Sequence, residues 1–386
     1  MKKYNFDKVV DRRNLNSYKW DVNRDEISLS VADSDFECFP EIKEALLEKV
    51  DDACFGYTYV PVEYYDAYIH WWASRYNVEL KRENFVFSTS MIASIDVILK
   101  RVCVPGEKVT MFTPVYNVFF NCIKNNGLKL LSTPFIYEDY RFEIDFDLLE
   151  KNLKEAKVFI FCNPHNPVGK RFSEEEVNKV VSLCKKYDVY LISDEIHCDY
   201  DYNDKKYVSV LLSKDNDYDK LFTLFSPGKT FNVAGLHSSV IYIKDKKLKE
   251  LIQEGVYQDD VGEPNYFAIA PVIAAYTKGE KYVEELNEYI GDNRRELKDY
   301  FVENIPNLKV IDNDATYLLW VDISHYKIPS HEFVERLRKE VGVILPSGEI
   351  YGEEGKYFVR VNIATNREIV MEFCKRMDKF VRGLEK

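Results

Sequence analysis

Four short segments carry side chains that could do chemistry, and each adjoins or lies within an apolar run. Lys229 stands in Ser226-Pro227-Gly228-Lys229-Thr230-Phe231-Asn232, between a glycine and a threonine, in a loop rather than on the solvated face of a helix. A lysine in a partly desolvated pocket loses basicity and becomes a usable nucleophile or base. Most loop lysines are simply solvated, so this residue alone says little. A phosphate-cradling P-loop is excluded, because no glycine precedes Gly-Lys-Thr at the required spacing. Asp194 lies in Ser193-Asp194-Glu195-Ile196-His197, at the end of another apolar run. An acid at a buried strand end is costly unless a cation or a donor meets it. A helix cap is the commoner explanation. In Cys162-Asn163-Pro164-His165-Asn166-Pro167-Val168-Gly169 the prolines and glycine fix a turn, and the asparagines offer donors that do not titrate. A rigid Asx-turn is the competing reading. Arg360, inside Phe358-Val359-Arg360-Val361-Asn362, calls for a bidentate anion, more often a structural carboxylate than a substrate's.

These segments need a frame to bring them together. Short apolar runs recur at 85–88, 108–112, 158–162, 189–193, 221–226 and 238–243, each beside a longer stretch of helical period. That rhythm predicts an α/β fold with a mainly parallel, buried central sheet flanked by helices. Ligands in such sheets bind at the carboxyl ends of the strands, where three of the four segments lie. Ser173 with Glu176 three residues on predicts a capping box opening a helix. Beyond residue 280 the texture changes to a long charged amphipathic helix, 281–304, then strands at 317–323, 342–345 and 357–363 and a helix at 366–382. We expect a large domain over residues 46–280 and a smaller α/β domain from 1–45 plus 281–386.

The 386 residues are 46% hydrophobic and 31% charged, a globular composition that sets disorder and fibrous architectures aside. With 53 bases against 65 acids the net charge is −12, which argues against nucleic acid or an anionic membrane as partner. No run is long and apolar enough for a membrane span, and residues 1–14 lack the apolar core of a signal peptide. The eight cysteines are scattered singly with no CxxC, the usage expected of reduced thiols in a cytoplasmic protein.

Taken in order, the set Asn-Pro, Asp-Glu, Ser-x-x-Lys and Arg resembles the fold-type I pyridoxal-phosphate enzymes of the aminotransferase class I/II superfamily, with a seven-stranded-type central sheet. Val31-Ala32-Asp33-Ser34-Asp35-Phe36, Phe55-Gly56-Tyr57-Thr58, Pro114-Val115-Tyr116 and Asp194-Glu195-Ile196-His197 narrow the likeness to the MalY/PatB-type C–S β-lyases. The resemblance implies pyridoxal 5'-phosphate as cofactor and a small amino acid as substrate. Lys229 would bear the cofactor and then remove the substrate's α-proton. Asp194 would pair with the ring nitrogen, and Asn166 and His197 would lie at the ring 3-oxygen. Tyr116 and Ile196 would sandwich the ring. The amides of Met91 and Ile92, with Ser226, would bind the phosphate. Tyr57 would reach the neighbouring subunit's phosphate, which implies a homodimer with shared sites. Arg360 would clamp the substrate carboxylate beside Ala32 and Asp33.

The likeness has departures. Ser90 replaces the family's glycine at the phosphate turn, Gly228 the serine before the lysine, and His237 an arginine common in aminotransferases; Ser30 and Ser34 stand near a usual tryptophan and methionine. The implied reaction is β-elimination from cystathionine or cysteine. Transamination of an L-amino acid with a 2-oxoacid is the first alternative, and a regulatory role without turnover is the second.

Overall fold

The computed structural model describes residues 4–202, 206–312 and 315–385. Seven strands form its central sheet: β1 (Phe85–Ser88), β2 (Lys108–Thr113), β3 (Lys129–Pro134), β4 (Val158–Cys162), β5 (Tyr190–Asp194), β6 (Leu221–Phe225) and β7 (Ser239–Ile243), in the order β1-β7-β6-β5-β4-β2-β3. β3, β2, β4, β5 and β6 pair in parallel, whereas β7 runs antiparallel to both β6 and β1. The sheet is therefore mixed but mainly parallel, as expected.

Both faces of the sheet are buried, and the two-residue period of a strand divides its side chains between them. In β4, Val158 and Ile160 join one core with Ile192, Phe222 and Ile241, while Phe159 and Phe161 join the other with Leu191 and Phe225. This explains why the runs read as continuously apolar rather than alternating. β3 escaped the sequence reading because, unlike β1 at the other edge, most of its residues are exposed or half-buried. An edge strand with one solvated face needs no apolar run.

Helices cover both faces. α1 (Val62–Tyr76) buries Trp71 and Trp72, and α2 (Met91–Val102) starts two residues after β1. The capping box forms at the start of α3 (Glu174–Lys186): Ser173 Oγ accepts from the Glu176 amide at 3.1 Å and Glu176 Oε2 from the Ser173 amide at 2.7 Å. α4 (Glu280–Asn304) is the predicted long amphipathic helix. It leads to β8 (Leu318–Asp322) and β9 (Phe358–Asn362), an antiparallel pair backed by α5 (Arg367–Leu384). The N-terminal chain reaches this region: Ile27–Ser28 pairs in parallel with Val343–Ile344. The Asn362 amide also bonds to the Leu29 carbonyl, which seats residues 29–36 next to Arg360.

Candidate active site

A cavity lies at the carboxyl ends of β4, β5 and β6. Asn166 comes from the turn after β4, Asp194 ends β5, Ile196 and His197 follow it, and Ser226 to Lys229 leave β6. Thr89 to Ile92, at the start of α2, form one side, with Tyr116 and Ala32 on others. Of the residues singled out from sequence, these ten meet in one place: Ala32, Met91, Ile92, Tyr116, Asn166, Asp194, Ile196, His197, Ser226 and Lys229. Arg360 adjoins them through Asn166, Asp33 is next to Ala32 in the chain, and Tyr57 is not among them.

Lys229 Nζ donates to the Ala32 carbonyl at 2.7 Å. Burial lowers its pKa to about 8, and Arg360 acts in the same direction, while Asp33 and Asp194 oppose. A fraction of this lysine is therefore the free amine near neutrality, as a nucleophile or base requires. Asp194 is pushed the other way. Burial raises its pKa to about 6, only partly offset by the Ile196 amide at 3.2 Å and by the charge of Lys229. A carboxylate this deep is incompletely compensated until a cationic donor meets it. His197 is held neutral: burial, then Lys229 and Arg360, lower its pKa to about 3, and its Nδ1 has no partner.

Arg360 is 5% exposed, and no carboxylate pairs with it among the described residues. One terminal nitrogen bonds to Asn166 Oδ1 at 3.2 Å and the other to the Ser30 carbonyl at 2.8 Å, and the guanidinium lies 4.9 Å from the Tyr351 ring centre. The commoner explanation of a buried arginine, a structural carboxylate, is absent. The bond also occupies the oxygen of Asn166, leaving its NH2 group as the donor beside the cavity.

At the start of α2, Ser90 Oγ accepts from the Ala93 amide at 3.1 Å, and the Ser90 carbonyl accepts from Ser94. The Met91 and Ile92 amides precede the first helical hydrogen bond and are available to an anion. Ser226 lines the same end, but its hydroxyl donates to the Ser238 carbonyl at 2.8 Å and accepts from the Gly228 amide at 3.1 Å. A Cβ at residue 228 would come within 3.2 Å of that hydroxyl and 3.4 Å of Ala234 Cα. Glycine fits this tight turn where a serine would crowd it. His237 does not line the cavity and is exposed.

A family model, aminotransferase class I and II, matches residues 24–377. The chain belongs to the aminotransferase class I and II family. Among similar proteins in this family, cystathionine β-lyase PatB of Bacillus subtilis is 33% identical, covering 97% of this chain and 98% of its own. Cystalysin of Treponema denticola, whose crystal structure contains pyridoxal 5'-phosphate, superposes with a TM-score of 0.95 at 30% identity over 99% of both chains. A C–S lyase of Staphylococcus hominis with the cofactor bound gives 0.92 at 32% over 98% of both.

For this family member, sequence reasoning missed the residues that support the segment Ala32 to Asp35 beside the cavity. Arg12 bonds to Asp33 Oδ2 at 2.7 Å, and Lys19 to Asp35 Oδ2 at 2.7 Å and to the Asp33 carbonyl at 3.1 Å. Trp20 Nε1 donates to the other Asp35 oxygen. The Lys19 side chain is wholly buried. Thr89, Ala234 and Ser238 also line the cavity and carried no motif.

Proposed function

We propose that this chain is a pyridoxal-phosphate-dependent carbon–sulfur β-lyase acting on cystathionine- or cysteine-type amino acids. The observation that carries the reading is the single cavity holding a lowered-pKa lysine, an under-compensated acid and free helix-start amides, adjoined through Asn166 by an arginine without a carboxylate. Those donors fit an anionic heteroaromatic aldehyde: the phosphate at Met91 and Ile92, the ring nitrogen at Asp194, and the aldehyde at Lys229. The full-length likeness to proteins named cystathionine β-lyase and C–S lyase supports elimination over the family's other reactions.

Pyridoxal 5'-phosphate supplies, when bound, a sink for the electron pair left at the substrate α-carbon. Lys229 would hold it through Nζ and would then take the substrate α-proton as a base. Asp194 would face the protonated ring nitrogen, and such a cation would draw the carboxyl below the value of about 6 that burial imposes. Asn166 and the neutral His197 would hold the ring oxygen, and Tyr116 and Ile196 would bracket the ring. Arg360 grips the substrate carboxylate and orients the Cα–H bond towards Lys229. The thiolate leaves Cβ with the bonding pair. Overall, cystathionine and one water give homocysteine, pyruvate and ammonia.

The assembly is a homodimer. Asp51 to Tyr57 are all exposed, and Tyr57 is 101% exposed, which supports a role for its hydroxyl at the partner's phosphate. Residues 46–280 form the cofactor-bearing domain, and 1–45 with 281–386 the smaller one that carries Arg360. No helix among the described residues is long and apolar enough to cross a membrane, and the enzyme works in the cytoplasm.

Purified protein given pyridoxal phosphate and L-cystathionine tests the reading. Pyruvate and free thiol in equal amounts support the lyase. Cofactor turnover that needs a 2-oxoacid and yields no pyruvate would make it an aminotransferase instead.

A further inference from the structure

The peptide of Lys229 is gripped by two consecutive residues from the segment after β5. Tyr200 Oη donates to the Lys229 carbonyl at 2.7 Å. The hydroxyl of the next residue, Thr230, donates to Asp199 Oδ2 at 2.6 Å. Asp199 is 2% exposed, and its other oxygen accepts from Trp71 Nε1 at 3.1 Å, Arg75 Nε at 3.2 Å and the Tyr76 hydroxyl, all on α1. Asn287 on α4 holds the Asp199 carbonyl at 2.7 Å. The carboxylate is thus immobilised from α1 and α4 before Thr230 reaches it. Asp199, Tyr200 and Thr230 do not line the cavity.

A lysine amine sits at the end of four rotatable side-chain bonds, so a small tilt of its peptide becomes a large displacement at Nζ. The 226–232 loop belongs to no helix or strand, and the one turn bond to the Lys229 carbonyl, from the Asn232 amide, is long at 3.4 Å, so the Tyr200 hydroxyl is the nearer support of that peptide. We propose that Asp199 and Tyr200 are positioning residues for Lys229: they fix its main chain, through Thr230 and through its own carbonyl, so that Nζ meets the cofactor aldehyde and then the substrate α-carbon at bonding distance. This inference rests on Lys229 being the amine that bears the cofactor. The competing role for the same bonds is to seal the core between α1 and the sheet.

The test uses the full chain stripped of cofactor, with the variants Thr230→Val, Thr230→Ser and Tyr200→Phe. Pyridoxal phosphate is added and samples are reduced with borohydride over time. Condensation of the Lys229 amine with the aldehyde releases one water, and hydride from borohydride turns the resulting carbon–nitrogen double bond into a stable secondary amine. Peptide mass spectrometry then counts the modified Lys229. Attachment should slow about ten-fold or more in Thr230→Val and in Tyr200→Phe, and further in the double variant, as expected for a misplaced nucleophile. Thr230→Ser, which keeps the hydroxyl, should restore the wild-type rate. In the loaded variants kcat for pyruvate release should fall by a similar factor, with KM for cystathionine changed less than about two-fold. Wild-type attachment rates in both Thr230→Val and Tyr200→Phe would overturn the proposal, as would a Thr230→Ser protein slowed as much as Thr230→Val. Should Thr230→Val not fold, Tyr200→Phe decides alone. A wild-type chain that never modifies Lys229 overturns the functional reading itself and the inference with it.

Discussion

Asp194 and Glu195 are neighbours at the end of β5, yet their surroundings differ in kind. Glu195 is closed in: Ser193 Oγ and the Val210 amide donate to one oxygen, and Ser209 Oγ and the Tyr207 hydroxyl to the other. Asp194 has one backbone amide and a distant lysine charge. Burial raises both pKa values, to about 7 for Glu195 and about 6 for Asp194. One acid is a finished structural joint that ties β5 to residues 207–210. The other has an unfilled requirement, and it faces a cavity. The difference locates the active site more sharply than burial or pKa alone, since both carboxyls are strongly perturbed.

The contrast can be sharpened by substitution. Lys229→Ala should have the largest effect, lowering pyruvate release by about 10⁴-fold through loss of the attaching and proton-moving group, while leaving the circular dichroism of the fold unchanged. Next comes Asp194→Asn, which should lower turnover by roughly 10²–10³-fold once the ring nitrogen loses its counter-charge.

The same Asp194→Asn change should stabilise the cofactor-free protein. With its folded pKa raised, the stability contributed by neutral Asp194 is full below the ordinary aspartate value and lost as pH rises through about 6. Asparagine mimics the neutral acid, so denaturant titrations should match wild type near pH 4 and exceed it above pH 6 by on the order of 2 kcal/mol. His165 and His197, lowered by burial to about 4 and 3, act in the opposite sense. Their contribution is full above the ordinary histidine value and is lost as pH falls towards the folded ones. If Asp194→Asn proved destabilising at pH 8 without cofactor, the idea of an unfilled requirement would be wrong.

Arg360→Ala should raise KM for cystathionine by about 10²-fold with a smaller change in kcat, the pattern of a lost carboxylate grip. The smallest effect on chemistry belongs to Glu195→Gln. Its amide cannot accept from all four donors, so we expect a loss of about 1–3 kcal/mol with or without cofactor and near-normal KM. A Glu195→Gln protein that unfolded normally but lost cofactor would show that the two acids act together rather than separately.

Much of this was legible along the chain. The apolar runs located six of the seven sheet strands within a residue or two, because strands buried on both faces are mostly apolar along their length. The loops at Asn166, Asp194 and Lys229 were legible for a related reason, since they occupy strand ends where a parallel sheet leaves its ligand crevice. β3 was hidden by its solvated edge. Lys19 carried no sequence signal, yet it is one of the most deeply buried side chains, paired with Asp35 sixteen residues away. Ion pairs across such separations leave no local pattern.

Residue types and order by themselves determined that this is an α/β chain with a loop lysine, a strand-end acid and a strand-borne arginine set beside or within apolar runs, because those depend on periodicity and on local chemistry. Only the tertiary structure decided that Arg360 lacks a carboxylate, that Ser226 is already committed to Ser238, that Glu195 is satisfied and Asp194 is not, and that Asp199 reaches back from β5 to hold the Lys229 loop. Whether a buried polar group has its partner is a property of what the fold brings within 3 Å, often from a hundred or more residues away, and nothing in the neighbouring sequence encodes it.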